Sequence, residues 1–165
     1  MVTSPFTLRV NAGETRERYI DAAGHAWDPD HLYTEGATYG FFSGATISHD
    51  PALTIADSDN PTLYRSERYG LRRFLAHVPE GRYLVRLHFC EVYGAYRLFS
   101  VAIQGKRVLE DLFIEKAAGG TQIALIKEFP HVTARDGKLD IVFIPKEHTS
   151  PEINGIEIIA EYRGR

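Results

Sequence analysis

The link "EVYGAYR", residues 91–97, carries a carboxylate, two phenols and a guanidinium around Gly94-Ala95. A plain hairpin needs only Asn, Gly, Asp or Pro at its tip. Two other Gly-bearing links also carry tyrosine: "TYGFF" with Tyr39, and "LYRSERYG" with Tyr64 and Tyr69. A tyrosine in a link exposes apolar surface unless it covers something. Three such links in one chain suit a concave aromatic surface. A pyranose fits it, because the sugar's C–H face lies on a ring while its rim hydroxyls take carboxylates, amides and arginine. Glu91, Tyr93 and Tyr96 are therefore candidate ligand contacts. Glu91 also shares strand parity with Phe89, which turns it inward, and a buried carboxylate must be paired. Arg97 is the natural partner, and this structural role weighs the same as direct sugar contact.

Other chemistries are weaker. Glu67, Glu91, Glu147 and Asp111 could supply the carboxylate pair of a glycosidase, which requires two groups about 5 to 9.5 Å apart with separated pKa values. Solvated or ion-paired carboxylates are the simpler reading, with Arg65, Arg68 and Arg97 as partners. The segment "DAAGHAWDPDH" holds Asp21, His25, Asp28, Asp30 and His31, but no ordered zinc or EF-hand spacing. These residues are expected to form turns and to hold Trp27, with no metal and no cofactor. "DSDN", residues 57–60, starts like a calcium loop and is then broken by Pro61. Cys90 is the only cysteine, so no intrachain disulfide forms. On a strand it reads as a small core residue rather than a nucleophile. No Gly-x-Ser-x-Gly elbow and no phosphate-binding glycine loop occurs.

The elements that must position these residues are strands. "RYLVRLHF" alternates, with Tyr83, Val85, Leu87 and Phe89 on one side and Leu84, Arg86, His88 and Cys90 on the other. Phe99, Val101 and Ile103 share one face of the next run. "FTLRV", "RRFLAHV", "KRVLEDLFI", "TQIALIKEF", "KLDIVFIP" and "INGIEIIAEY" complete a series of short β-branched and aromatic runs with Gly or Pro between most of them. No segment has a sustained helical period. This pattern predicts an all-β, antiparallel sandwich forming one domain over residues 1–165. Residues 13–61 are rich in Gly, Asp and His and only weakly periodic, which predicts a long functional loop or short hidden elements. The 165 residues are 44% hydrophobic and 25% charged, with a net charge of -3, which argues against a general nucleic-acid binder. No apolar stretch is long enough to span a membrane, and "MVTSPFTLRV" lacks the basic start and apolar run of a secretory signal.

Six ordered blocks resemble malectin and malectin-like domains, also classed as carbohydrate-binding modules. They are "LRVNAGETRERYIDAAGHAWDPDHLY", "TLYRSERYG", "VRLHFCEVY", "RLFSVAIQGKRVLEDLFI", "ALIKEF" and "SPEINGIEII". The resemblance implies a jelly-roll-like, galactose-binding-like β-sandwich that holds a di- or oligosaccharide between loops and is not an enzyme. It implies that Tyr39, Tyr69 and Tyr93 match the stacking tyrosines of the animal member. Two positions depart from the family. Gly94 stands where an aromatic follows the "EVY" tyrosine, and Thr149 stands where an aspartate precedes the "NP"-type step. Tyr96 could replace the ring, and Glu147 or His148 the anchor. Bacterial relatives are attached to glycoside hydrolases and plant relatives are receptor ectodomains, which implies a glycan partner and a secreted or cell-surface setting. Two rivals stand beside the lectin reading: a small glycosidase using Glu91, and a protein-interaction or spacer module whose sugar pocket has decayed.

Overall fold

The computed structural model describes residues 5–161. Fourteen strands are arranged in three sheets. A six-stranded sheet runs in the order β11 (Leu125–Ala134), β8 (Gly81–Phe89), β14 (Gly155–Ala160), β1 (Thr7–Asn11), β3 (Ala26–Pro29) and β2 (Tyr19–Ile20). A five-stranded sheet runs β10 (Lys106–Leu112), β9 (Phe99–Ile103), β12 (Lys138–Pro145), β7 (Arg73–His77) and β4 (Tyr39–Phe42). The two pack face to face as a β-sandwich. Every strand pair is antiparallel except β1 with β3.

Alternation dictates the core. Tyr83, Val85, Leu87 and Phe89 of β8 point inward, beside Ile156 and Ile158 of β14. Phe99, Val101 and Ile103 of β9, with Leu139, Ile141 and Phe143 of β12, face them from the other sheet. The outer face of β8 carries Arg86 and His88, which bond Glu157 of β14 at 3.0 and 3.2 Å. Among the described residues, helix is confined to α1 (Ile114–Ala118) and one 3-10 turn over Pro61–Arg65. No helix among the described residues is long and apolar enough to cross a membrane.

Residues 13–61 are not one loop. They contain β2, β3, β4 and β5 (Ala45–Ser48), each only two to four residues long. Strands this short cannot show a period, and β4 and β5 find their partners, β7 and β6, well along the sequence. A third sheet, β13 (Glu152–Ile153), β6 (Ser66–Tyr69) and β5, closes one end of the sandwich.

Candidate functional site

The third sheet is fixed by the motifs that stood out in the sequence. Gly13 of "NAG" has φ +91, and a Cβ there would lie 2.3 Å from the Glu67 backbone nitrogen, so only glycine lets the turn approach β6. Its N–H donates to Asp30 Oδ2 at 2.8 Å. Asp30 is fully desolvated and takes Arg68 through Nη2 at 2.7 Å and Nε at 3.0 and 3.2 Å, while Arg68 Nη1 donates to the Ser43 and Gly44 carbonyls. Asn154 of "EING" donates its side-chain N–H to the Ser66 carbonyl at 2.9 Å and accepts Cys90 N–H at 2.7 Å. "NAG", "SER", "HFCE" and "EING" thus meet around one strand, β6.

Alternation along β6 sends Arg68 to one side and Glu67 and Tyr69 to the other. Glu67 is buried and accepts from His49 Nε2 at 2.8 Å, or pairs with it as an ion pair. His49 Nδ1 lies 3.2 Å from Tyr93 Oη, and the Tyr93 ring stands edge-on to the imidazole at 5.1 Å. Tyr93 is 72% exposed and Tyr69 is 36% exposed. Tyr93 is thus linked through His49 to Glu67, which shares its side of β6 with Tyr69.

Beneath them lie three buried glutamates. Glu91 accepts from Arg97 Nε at 2.9 Å and from the Tyr93 backbone N–H at 3.3 Å, so it sets the position of Tyr93. The structure thus takes the Arg97 role for Glu91 over direct ligand contact. Glu152 sits opposite Tyr69 across the β6–β13 pair and is near enough to Glu67 to be affected by its charge. One of its oxygens accepts Cys90 N–H at 3.3 Å, and the other, Oε2, has no N–H or O–H donor among the described residues. A buried carboxylate whose oxygen lacks a donor is costly, which favours the protonated form of Glu152. Burial, then the Glu67 charge, hold Glu152 well above the usual carboxylate range. Burial, followed by the charges of Glu152, Glu67 and Glu91, pushes the Cys90 thiol up to about 12. Cys90 is packed with Trp27, Leu63 and Tyr64 in a second apolar cluster, as expected of a structural thiol.

Not every expected residue joins this surface. Tyr39 is 8% exposed, and its hydroxyl donates to the Pro29 carbonyl at 2.6 Å. Its ring packs on His31 and Phe74 in the core, because β4 pairs with β7 and turns the ring inward. It offers no stacking face. Tyr64 is likewise buried and bonds His88 Nδ1 at 2.7 Å. The Thr149 hydroxyl accepts Leu98 N–H at 2.9 Å and lies 2.9 and 2.8 Å from the Leu98 and Lys146 carbonyls. It ties a turn together, and its single hydrogen is already claimed by these carbonyls. Tyr96 is 52% exposed beside Tyr93's link, with its hydroxyl on Glu147 Oε2 at 2.9 Å and its ring edge-on to Phe113 at 5.1 Å. His49 and Glu152 were missed by sequence reasoning. A glutamate next to Ile153 on an apolar closing strand was the available signal for Glu152.

The Asp and His segment holds Trp27. Asp21 accepts Ala23 and His25 backbone N–H at 3.0 and 2.9 Å and Trp27 Nε1 at 2.9 Å. Asp28 pairs with Arg18. No group of three or more His, Cys, Asp or Glu residues among those described could hold a metal ion.

The malectin domain model matches residues 6–162. The chain belongs to the malectin domain family. Receptor-like protein 4 of Arabidopsis thaliana is 28% identical over 91% of this chain, which spans 26% of that protein. Kinesin-like protein KIN-14E of rice is 24% identical over 84% of the chain, which spans 14% of it. This malectin domain therefore spans about a quarter or less of these curated relatives. Among solved structures, a Bacteroides uniformis beta-glucuronidase superposes with a TM-score of 0.83 at 24% identity, over 95% of this chain and 18% of that one. The Arabidopsis ANXUR1 extracellular domain gives 0.76 at 17% identity, over 94% and 48%. A complex of the plant peptide RALF23 with FER and LLG2 gives 0.74 at 18% identity, over 96% and 50%. These likenesses establish the shared sandwich.

Proposed function

We propose that this malectin domain is a non-catalytic carbohydrate-binding module, a single unit over the chain, that takes a di- or oligosaccharide on the surface made by Tyr69 and Tyr93. The observation that carries this is the pairing of two exposed tyrosines with a buried support. Glu91 and Arg97 hold the backbone of Tyr93, and His49 and Glu67 hold its hydroxyl. A large exposed ring anchored from below is pre-organised for an apolar sugar face and has little ordering entropy left to lose on binding. Tyr96 extends the aromatic surface, and Glu147 on its hydroxyl supplies a carboxylate near the position where the family aspartate is replaced by Thr149. The buried glutamates argue against glycoside hydrolysis. Glu67 is committed to His49 and Glu91 to Arg97, and Glu152 is fully buried, so none of the three is placed to meet a scissile bond. Attachment to a glycoside hydrolase or to a receptor, and a secreted or cell-surface setting, are readings that the relatives support.

The purified domain on a glycan array tests this. Selective retention of gluco- or galacto-configured oligosaccharides, lost in Tyr93→Ala, is expected. Binding to no glycan would refute it. A second reading has one observation in its favour: β5 is the end strand of the third sheet and carries half-exposed Ile47 near Tyr69, an edge on which an extended peptide can add as a strand. A domain silent on the array that captures an extended peptide through β5 would favour it.

A further inference from the structure

A second concave feature lies next to this surface. α1 is only five residues long and ends at Gly119, which takes the left-handed conformation at φ +92. The N–H groups of Gly119 and Gly120 both donate to the Glu115 carbonyl, at 3.0 and 2.8 Å. Two successive residues without side chains therefore leave space beside the helix. The space is a pocket of about 460 Å³ lined by Phe113, Glu115, Lys116, Gly119 and Gly120. That volume is in the range of small-molecule sites.

We propose that this pocket is a second pyranose subsite, taking the next ring of an oligosaccharide whose first ring lies on Tyr93. The inference rests on the carbohydrate reading of Tyr69 and Tyr93 and extends it to ligand length and charge. Continuity is the first argument. A Cβ on Gly94 would lie 3.7 Å from Thr121 Cγ2 and 3.9 Å from Glu115 Oε2, so the Tyr93–Gly94 link borders the pocket's rim. Phe113 is braced edge-on by Tyr96, 5.1 Å between centroids and 80° between planes, which fixes its ring on the pocket side of the link. Gly94 also has φ +73, a conformation that keeps side chains out of the passage between the two features.

Chemistry is the second argument. Phe113 offers an apolar floor for a C–H face. The Glu115 carboxylate and Lys116 ammonium have no side-chain hydrogen bond or ion pair among the described residues, so their acceptors and donors are available to ring hydroxyls. Their charges offset one another. The neighbouring Lys146 and Asp111 are already paired. A neutral hexose suits this pocket better than a uronate or an amino sugar, which would meet one like charge.

The test titrates glucose, cellobiose, cellotriose, maltose and maltotriose into isotopically labelled protein by NMR. The disaccharide of the accepted linkage should bind at least tenfold more tightly than glucose. It should shift the Gly119 and Gly120 amides, and glucose should not. Phe113→Ala and the surface variant Lys116→Ala should both remove most of the gain from the second ring and leave the glucose affinity unchanged. Lys116→Ala is exposed and keeps the test valid if Phe113→Ala unfolds. Equal affinity for one and two rings, or a gain that survives both variants, overturns the subsite alone. Failure of all these sugars overturns the subsite, and together with a silent glycan array it overturns the Tyr69–Tyr93 reading as well.

Discussion

Replacing Glu152 with glutamine removes a buried carboxyl whose pKa burial raises well above the usual carboxylate range. Glu152 is fully buried against Glu67, with Glu91 and Arg97 nearby and Cys90 N–H on its other oxygen. Its folded-state pKa is raised above the ordinary value of 4.5. The native state therefore binds one more proton than the unfolded chain from about pH 4.5 up to the raised value. Stability from this group is fully present below that window and is lost as pH rises through it. Each pH unit inside it lowers the unfolding free energy by up to about 1.4 kcal/mol. At 2–4 °C per kcal/mol for a domain of this size, that is roughly 3–5 °C of Tm per unit. Glu152→Gln keeps an acceptor for Cys90 and a donor toward Glu67 and has nothing to titrate. At pH 5 it should fall within about 1 kcal/mol of the native protein. Its Tm should then rise relative to the native protein as pH increases to 9. Thermal melts followed by circular dichroism at unit pH steps measure this. Parallel profiles for the two proteins would refute the raised pKa of Glu152.

Arg68→Ala strands the desolvated Asp30 charge, so it should destabilise the fold by roughly 3–5 kcal/mol in denaturant titration, while Arg72→Ala, on a neighbouring exposed position, should stay within about 0.5 kcal/mol. Arg97→Met should leave the buried Glu91 unpaired and release the Tyr93 backbone, lowering both Tm and sugar affinity; unchanged affinity in the folded variant would contradict the role given to this pair. Cys90→Ser should leave glycan binding within a few-fold, and a large loss at unchanged Tm would contradict a structural thiol. EDTA should alter neither Tm nor binding, since Asp21 and Asp30 are engaged with Trp27 and Arg68; a Tm drop restored by calcium would contradict this.

The sandwich was legible because its central strands are long enough to alternate. Tyr83 to Phe89 and Phe99 to Ile103 face the core as their parity requires. The blocks "NAG", "SERYG" and "EING" were legible as motifs, but the reason for them was not. Gly13 must approach the backbone of Glu67, and Asn154 must bridge Cys90 and Ser66, contacts that span more than fifty residues. Tyr39 illustrates the limit on the site. It occupies a Gly-rich link like Tyr69 and Tyr93, yet its strand lies flat on β7 and buries the ring, which no local pattern encodes. Glu91 showed its inward parity in sequence, and the pairing with Arg97 followed from the cost of an unpaired buried charge. His49 was invisible, because its partners Glu67 and Tyr93 lie 18 and 44 residues away.

The most direct test of the sugar surface is a calorimetric titration of the array-selected oligosaccharide into native protein, Tyr69→Ala and Tyr93→Ala, with folding checked by Tm. With Gly94 and Thr149 in place of two family contacts, the native dissociation constant should be weak, about 0.1–1 mM. Each stacked ring is worth about 1–2 kcal/mol by analogy with other aromatic contacts, so each variant should bind roughly 5- to 30-fold more weakly at unchanged Tm. Native-like affinity in both folded variants would place the sugar elsewhere and contradict the account.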